Sequence, residues 1–155
     1  MLRLSKKADY ALIAMKHLAL NGDGSSSARE IASLYDIPIE LLAKILQRLV
    51  RRGLLVSQQG TRGGYQLARV PLLISVADVI QAIDGPVTVT ACSSDEEGNS
   101  CEQFAKCNVR DPLWRVRERI LTALGECTIA ELAADQPQPA SPEPTEHAMV
   151  LHTHI

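Results

Sequence analysis

The chain has 155 residues, of which 46% are hydrophobic, 22% charged and 3% aromatic. This length suits one small helical domain with an accessory segment and excludes a large multidomain enzyme. The formal net charge of -2 does not by itself indicate nucleic-acid binding. However, residues 1–69 carry eleven basic and five acidic side chains, whereas residues 70–155 carry five basic and thirteen acidic ones. The average therefore conceals a basic first half and an acidic second half.

Three of the four cysteines lie close together in the sequence, at Cys92, Cys101 and Cys107. No apolar run is long enough to span a bilayer, and the apolar stretch 11–20 is interrupted by charge and lacks a cleavage site. We therefore expect a cytoplasmic protein with no membrane partner. In that compartment a cysteine cluster favours a metal, cluster or redox site over a disulfide framework.

The first two helices are marked by capping signals. Apolar residues at helical spacing predict a helix between the N-cap Ser5 and the turn at residues 21–24. Ser27, followed three residues later by Glu30, is a capping-box pattern that opens a short second helix. This helix stops before Pro38, because proline disfavours helical conformation in the residue that precedes it.

A third helix is predicted from Pro38 to the stop at Gly53. One face is apolar, and the other carries polar and small side chains: Glu40, Ala43, Lys44, Gln47 and Arg51. Two helices joined by a tight turn, the second with a polar and basic face, are typical of a helix-turn-helix that reads the major groove. An ordinary helical hairpin with a solvated charged face is the alternative at this point.

A β-hairpin is predicted next, with strands at residues 54–57 and 65–67 around the glycine-rich turn 60–64. The glycines hold Arg62 at the tip, where a cation could enter a narrow minor groove. A phosphate-binding nucleotide loop would need a Lys-Ser/Thr pair and a following helix, and both are missing here. The hairpin is therefore interpreted as the wing of a winged helix-turn-helix.

The second half of the chain contains two more helical patterns. A short amphipathic helix is predicted at 76–83, and a long one follows Pro112, with a further helical turn at 128–133. The long helix has one apolar face, formed by Leu113, Val116, Ile120 and Leu124. Because such a face needs a partner surface, we expect a homodimer through residues 112–125.

The sequence thus predicts a mainly α fold with a small β-hairpin wing, in which a winged helix-turn-helix domain is joined to a long dimerisation helix. The predicted parts are the DNA-binding domain (1–84), a cysteine-bearing cluster loop (85–111), the dimerisation helix with a short C-terminal helix (112–134) and a tail (135–155). The proline-rich tail lacks the apolar residues needed for a core and is expected to be disordered.

The three clustered cysteines are compatible with several chemistries. Thiolates are soft ligands that hold iron–sulfur clusters. Zinc with three cysteines and another ligand, or a metal-free dithiol that senses oxidation, would use the same residues. The spacing alone leaves these alternatives open.

In combination, these motifs resemble the Rrf2 family of IscR-, NsrR- and SufR-like winged helix-turn-helix regulators, with greatest similarity to the regulators of SUF-type cluster assembly. The resemblance covers residues 1 to about 134 and rests on the three-cysteine loop and five motifs: Leu2-Arg3-Leu4-Ser5-Lys6, Asp9-Tyr10-Ala11-Leu12, Gly60-Thr61-Arg62-Gly63-Gly64-Tyr65-Gln66-Leu67, Val79-Ile80-Gln81-Ala82-Ile83-Asp84-Gly85 and Leu113-Trp114. It implies a homodimeric bacterial transcription regulator that holds an iron–sulfur cluster near the dimer interface.

The resemblance also implies the cluster ligands. Cys92, Cys101 and Cys107 would bind the cluster, with a 2Fe–2S form favoured over 4Fe–4S. Some relatives place a histidine shortly after the third cysteine, but this chain has none there. Others use an aspartate near the start of the first helix that reaches across from the partner subunit, and Asp9 matches that position. Asp9 could equally interact with the helix dipole, and Asp111 is a weaker candidate ligand.

By analogy with the family, groove and backbone contacts to double-stranded operator DNA fall on the start of the first helix, the third helix and the wing. The residues assigned to this interface are Ser5, Lys6, Glu40, Lys44, Gln47, Arg51, Gln58, Gln59, Thr61, Arg62, Gly63 and Gly64. Ala43 stands where some relatives carry a glutamate that rejects certain operators, so we do not expect that mode of operator selection here.

The sequence therefore predicts a dimeric repressor that senses iron–sulfur cluster status or oxidative and nitrosative stress, and that controls cluster-assembly or related genes. The alternative is a cluster-free winged-helix regulator switched by cysteine oxidation or by a protein or small-molecule effector. An enzyme is not expected, because the sequence shows no nucleophile–base pair, paired carboxylates or cofactor loop.

Overall fold

The computed structural model describes residues 3–61, 63–90 and 101–135. Over these residues the chain forms six α-helices and one antiparallel hairpin: α1 (Lys6–Leu20), α2 (Ala28–Leu34), α3 (Ile39–Arg51), β1 (Leu55–Gln58), β2 (Gly64–Leu67), α4 (Val76–Asp84), α5 (Arg110–Glu126) and α6 (Ile129–Ala134). Short 3-10 turns occupy Pro71–Leu73 and Phe104–Lys106. The predicted mainly α fold with a hairpin wing is confirmed. Arg62, Cys92 and the predicted tail beyond Asp135 lie outside the described residues.

Side-chain caps start most of the helices. The Ser5 hydroxyl accepts a hydrogen bond from the Ala8 amide at 3.0 Å, and Ser27 and Glu30 form the predicted capping box. Two further capping boxes were not predicted, Ser75 with Asp78 at the start of α4 and Thr128 with Glu131 at the start of α6. Each box satisfies amide groups that have no partner inside the helix.

The core forms around α1, which packs against α3, α4, α6 and β2. Three alanines on α1, at positions 8, 11 and 14, are fully buried and allow neighbouring elements to approach closely. The largest fully buried side chains come from the N-terminal domain and α6: Met15, Leu18, Ile31, Leu42, Leu46, Leu49, Leu55, Ile74, Val79 and Ile129. Helices α1, α2, α3, α4 and α6 and the hairpin base therefore share one core.

Helices α2 and α3 are joined by the tight turn of a helix-turn-helix. Asp36 has a positive φ of 52°, a conformation that aspartate tolerates better than most residues. The next residue, Ile37, is buried, and its amide donates to the Ala32 carbonyl at 2.9 Å. The turn is thereby fixed on the core, and α3 is held at a defined angle to α2.

Helix α6 returns to the N-terminal core. Ile129 is fully buried, and its amide donates to the Ile74 carbonyl at 2.9 Å. At the end of α6, the Lys16 ammonium donates to the Asp135 carbonyl at 2.8 Å. Burying one isoleucine side chain contributes about 1.5–3 kcal/mol. Residues 129–134 therefore stabilise the winged domain, although the sequence grouped them with the long helix.

The long helix α5 begins two residues earlier than predicted, at Arg110. Pro112 is accommodated in its first turn, because amides there have no partner inside the helix. None of the α5 side chains is fully buried in the single chain, although α5 packs along α4. Arg117 Nε of α5 donates to the carbonyl of Val87, three residues after the end of α4, at 2.9 Å.

The wing is attached to the helical core through Ser26. Ser26 and Tyr65 exchange two backbone hydrogen bonds, of 3.2 and 2.9 Å, and Gly64 approaches so closely that a Cβ there would lie 2.8 Å from the Ser26 backbone. The buried Ser26 hydroxyl lies 3.1 Å from His17 Nε2, while His17 Nδ1 lies 3.1 Å from the Tyr35 hydroxyl. His17 thus connects α1, the end of α2 and, through Ser26, strand β2 of the wing.

Burial lowers the pKa of His17, with an opposing contribution from the Glu30 carboxylate. The unfolded chain then binds the proton more tightly, so the free energy of unfolding falls as the pH drops through the ordinary histidine pKa of about 6.5. We expect the Tm to fall between about pH 7.5 and about pH 5.5, and the fall to be smaller in His17→Gln. Thermal denaturation of both proteins at both pH values tests this, and an identical fall in the two would contradict it.

Candidate nucleic-acid interface and metal centre

The exposed face of α3 is oriented by the buried one. Leu42, Ile45, Leu46 and Leu49 lie in the core. Four polar residues at positions i, i+4, i+7 and i+11 share the opposite, exposed face: Glu40, Lys44, Gln47 and Arg51. The structure thus brings together the predicted recognition residues of α3. An α-helix of this kind fits a major groove, where lysine and arginine donate to phosphates or guanine, and glutamine pairs with adenine.

The wing presents a second row of polar groups beside α3. Gln58 pairs with Gly64 across the hairpin, and its side chain donates to the Gln66 side chain. Gln66 Nε2 in turn donates to the Asp23 carbonyl at 2.5 Å. Gln59 and Thr61 are exposed next to the turn. The hairpin is therefore anchored at its base, and the predicted wing residues Gln58, Gln59, Thr61, Gly63 and Gly64 lie at or near the tip.

Side chains at the start of α1 make contacts within the chain. Besides capping the helix, the Ser5 hydroxyl donates to Asp84 Oδ1 at 2.6 Å. The Lys6 ammonium lies 5.2 Å from the centre of the Tyr10 ring. Ser5 therefore has an intramolecular hydrogen-bonding role that the sequence did not reveal, and its predicted DNA contact stays a prediction.

Arg48 is the residue of α3 that sequence reasoning missed. It lies on the flank between the buried and exposed faces, and its Nε donates to the Ala82 carbonyl at the end of α4, at 2.8 Å. The helical pattern predicts where Arg48 lies on α3. It does not predict the acceptor, which is 34 residues away along the chain. Arg48 thus connects the recognition helix to α4.

Two of the three predicted thiol ligands lie in the described residues. Cys101 and Cys107 are free and half-buried, and they flank the 3-10 turn Phe104–Lys106. The Phe104 amide donates to the Cys101 carbonyl at 3.0 Å, and the Arg110 guanidinium lies 4.7 Å from the centre of the Phe104 ring. The turn is thereby tied to the start of α5. Two free, accessible thiols are a suitable part of a soft-metal donor set.

Asp9 lies in the first turn of α1 and is half-buried. In the residues that the structure describes, no three His, Cys, Asp or Glu side chains come close enough together to hold a metal ion. One chain therefore does not bring Asp9 to Cys101 and Cys107. Asp111 forms an exposed ion pair with Arg110 at 3.0 Å. The fourth cysteine, Cys127, ends α5.

These features define a winged helix-turn-helix transcription regulator, with a polar recognition helix, an anchored hairpin and a thiol-bearing segment at residues 101–107. A family model named Rrf2 and described as an iron-dependent transcriptional regulator matches residues 4–135. The chain belongs to this family of DNA-binding regulators, which confirms the family, though not the SUF-type branch, inferred from the motifs. It also confirms that the protein is a regulator and not an enzyme.

Known relatives support this assignment. The HTH-type transcriptional regulator IscR of Yersinia enterocolitica is 35% identical over 137 residues, which cover 87% of this chain and 81% of that protein. The structure of T. potens IscR has a TM-score of 0.68 and 28% identity, covering 90% of this chain and 93% of the other. That of CymR, the global cysteine regulator of B. subtilis, has a TM-score of 0.69 and 29% identity, with coverages of 86% and 98%. Within the described part of the chain, no helix is both long and apolar enough to cross a membrane.

We expect Lys44→Ala to weaken binding to a mixed-sequence DNA duplex and to reduce the slope of log affinity against log salt by about one, because one phosphate contact is lost. Fluorescence anisotropy titrations at several salt concentrations measure both quantities. Lys106→Ala is the matched control, since it removes the same exposed charge from the thiol-bearing segment. Equal losses in the two variants would argue against α3 as the DNA-contacting surface.

Proposed function

We propose that this regulator is a homodimeric repressor that senses iron–sulfur cluster status or oxidative and nitrosative stress, and that controls cluster-assembly or related genes. The observation that carries the proposal is the pair of free thiols, Cys101 and Cys107, held next to the start of α5. The family description as iron-dependent and the similarity to IscR support the same interpretation. Control of SUF-type assembly genes remains part of this proposal.

The cluster ligands in this proposal are Cys92, Cys101, Cys107 and Asp9 of the partner subunit. Cys101 and Cys107 fit the role because both are free and accessible. The separation of Asp9 from the thiols within one chain is consistent with donation across a dimer. A bound cluster, for which we favour the 2Fe–2S form, would supply one-electron redox chemistry and reactivity toward oxidants. A single carboxylate ligand among thiolates would expose the cluster more readily to those reagents.

Anaerobic purification, followed by a visible absorption spectrum with iron and sulfide assays, tests the cluster directly. We expect a coloured wild type containing iron and sulfide, and a colourless Cys101→Ala variant, because a thiolate ligand is lost. Cys127→Ala is the matched control and should stay coloured, since Cys127 ends α5 away from the thiol pair. A wild type that stays colourless after anaerobic reconstitution would refute cluster binding and leave DNA binding standing.

A thiol switch without a cluster is the second candidate. Cys101 and Cys107 are partly exposed and lie on either side of a short turn, so oxidation could alter both. The structure of CymR from Staphylococcus aureus in an oxidized form has a TM-score of 0.68 and 27% identity to this chain. Operator binding that changes with peroxide in an iron-free protein would favour this candidate.

Dimerisation through residues 112–125 is supported by apolar side chains of α5 that stay exposed in the single chain. Val116 is 42% exposed and Trp114 is 51% exposed, whereas Ile120 and Leu124 are half-buried. A 17-residue amphipathic helix without a fully buried side chain needs further apolar contact to bury its face. A second copy of α5 presents the same face, as a two-fold symmetric interface requires. Two recognition helices would then meet two operator half-sites.

We expect Val116→Glu to convert the dimer to a folded monomer, because the added carboxylate would be buried only in the dimer. Sedimentation equilibrium measures the mass, and thermal denaturation checks the fold. Thr122→Glu adds the same charge to an exposed position about 120° around α5 from Val116 and should leave the dimer intact. A dimeric Val116→Glu variant would place the interface elsewhere.

A further inference from the structure

The end of α4 receives hydrogen bonds from two other elements. Arg48 Nε on α3 donates to the Ala82 carbonyl at 2.8 Å. The Ser5 hydroxyl at the start of α1 donates to Asp84 Oδ1 at 2.6 Å. Three residues further on, Val87 accepts from Arg117 Nε of α5 at 2.9 Å. Residues 82–87, here termed the α4 junction, therefore contact the recognition helix, the first helix and the long helix.

The junction is short and well fixed. Ala82 and Ile83 are each only 5% exposed, so the last turn of α4 is held in the core. Gly85 ends the helix with a φ of 86°, a conformation that residues other than glycine rarely adopt. Its amide donates to the Gln81 carbonyl at 3.0 Å. The path from Ala82 to Val87 thus contains one tight turn, at Gly85.

The position of the junction in the chain suggests what it transmits. It precedes Cys101 in the chain by fourteen positions, and the residues after Cys107 lead into α5, which binds the junction through Arg117. The segment that carries Cys101 and Cys107 is therefore connected to residues 82–87 through α5. On its other side, the junction holds the α3 flank through Arg48 and the N-cap of the helix that carries Asp9 through Ser5.

We propose that Arg48 is a positioning residue that couples the state of the thiol-bearing segment to the orientation of the recognition helix. This inference rests on the proposed function. Movement of Val87 shifts the end of α4, and the Arg48 hydrogen bond carries that shift to α3. Arg48 contributes to regulation through this differential contact, because its Nε is directed to a protein carbonyl at the end of α4.

The test compares operator affinities of the cluster-loaded and cluster-free forms, using a duplex that the wild-type protein selects from a random-sequence pool. Arg48→Ala should move the affinity ratio about fivefold closer to one, the factor supplied by one ordinary hydrogen bond. Arg51→Ala is the matched control. It removes the same charge from the exposed face of α3, three residues after Arg48. It should weaken both forms equally and leave the ratio unchanged.

Arg48→Lys provides a second variant that keeps the charge and a donor of similar reach, and it should restore part of the wild-type ratio. Thermal denaturation confirms that each variant is folded. An unchanged ratio in both Arg48 variants would overturn the inference while leaving the proposed function intact. A wild-type ratio of one would instead refute the proposed function, and the inference with it.

Discussion

The close packing around α1 is the constraint on which the rest of the structure depends. Its alanines at positions 8, 11 and 14 have almost no side-chain volume, so α3, α4, α6 and the wing strand can all approach the same helix. Replacing small buried residues with larger ones would force these elements apart, since cores tolerate little excess volume. The recognition face, the wing and the α4 junction are all positioned relative to this one helix.

Local signals explain why so much of the fold could be predicted from sequence. Capping residues such as Ser5 and Ser27, and the spacing of apolar residues, determined the helices to within one or two positions. The docking of α6 could not be predicted in this way, because Ile129 meets Ile74 and α1, which are distant in sequence. Thr128 and Glu131 form the capping box that starts α6, but a capping box does not determine where a helix packs.

The candidate sites were predictable to different degrees. Helical periodicity placed Lys44, Gln47 and Arg51 on one face, because that arrangement depends only on the geometry of α3. Arg48 belonged to the same stretch, yet its role depends on the packing of α4 against α3. Similarly, the cysteine spacing indicated donor chemistry, whereas the proposed completion of the donor set by Asp9 would need a second chain. Long-range packing and symmetry lie beyond what local pattern encodes.

The uneven charge distribution limits how a signal could travel from the thiols to the DNA. The basic residues 1–69 and acidic residues 70–155 orient the molecule toward a polyanion, but exposed charges are screened beyond about 8 Å at physiological ionic strength. A change of charge at Cys101 or Cys107 would be screened in the same way. Mechanical coupling through buried contacts is not screened. A partly buried hydrogen bond such as that from Arg48 to Ala82 is consequently better suited to carry the signal than the surface charges are.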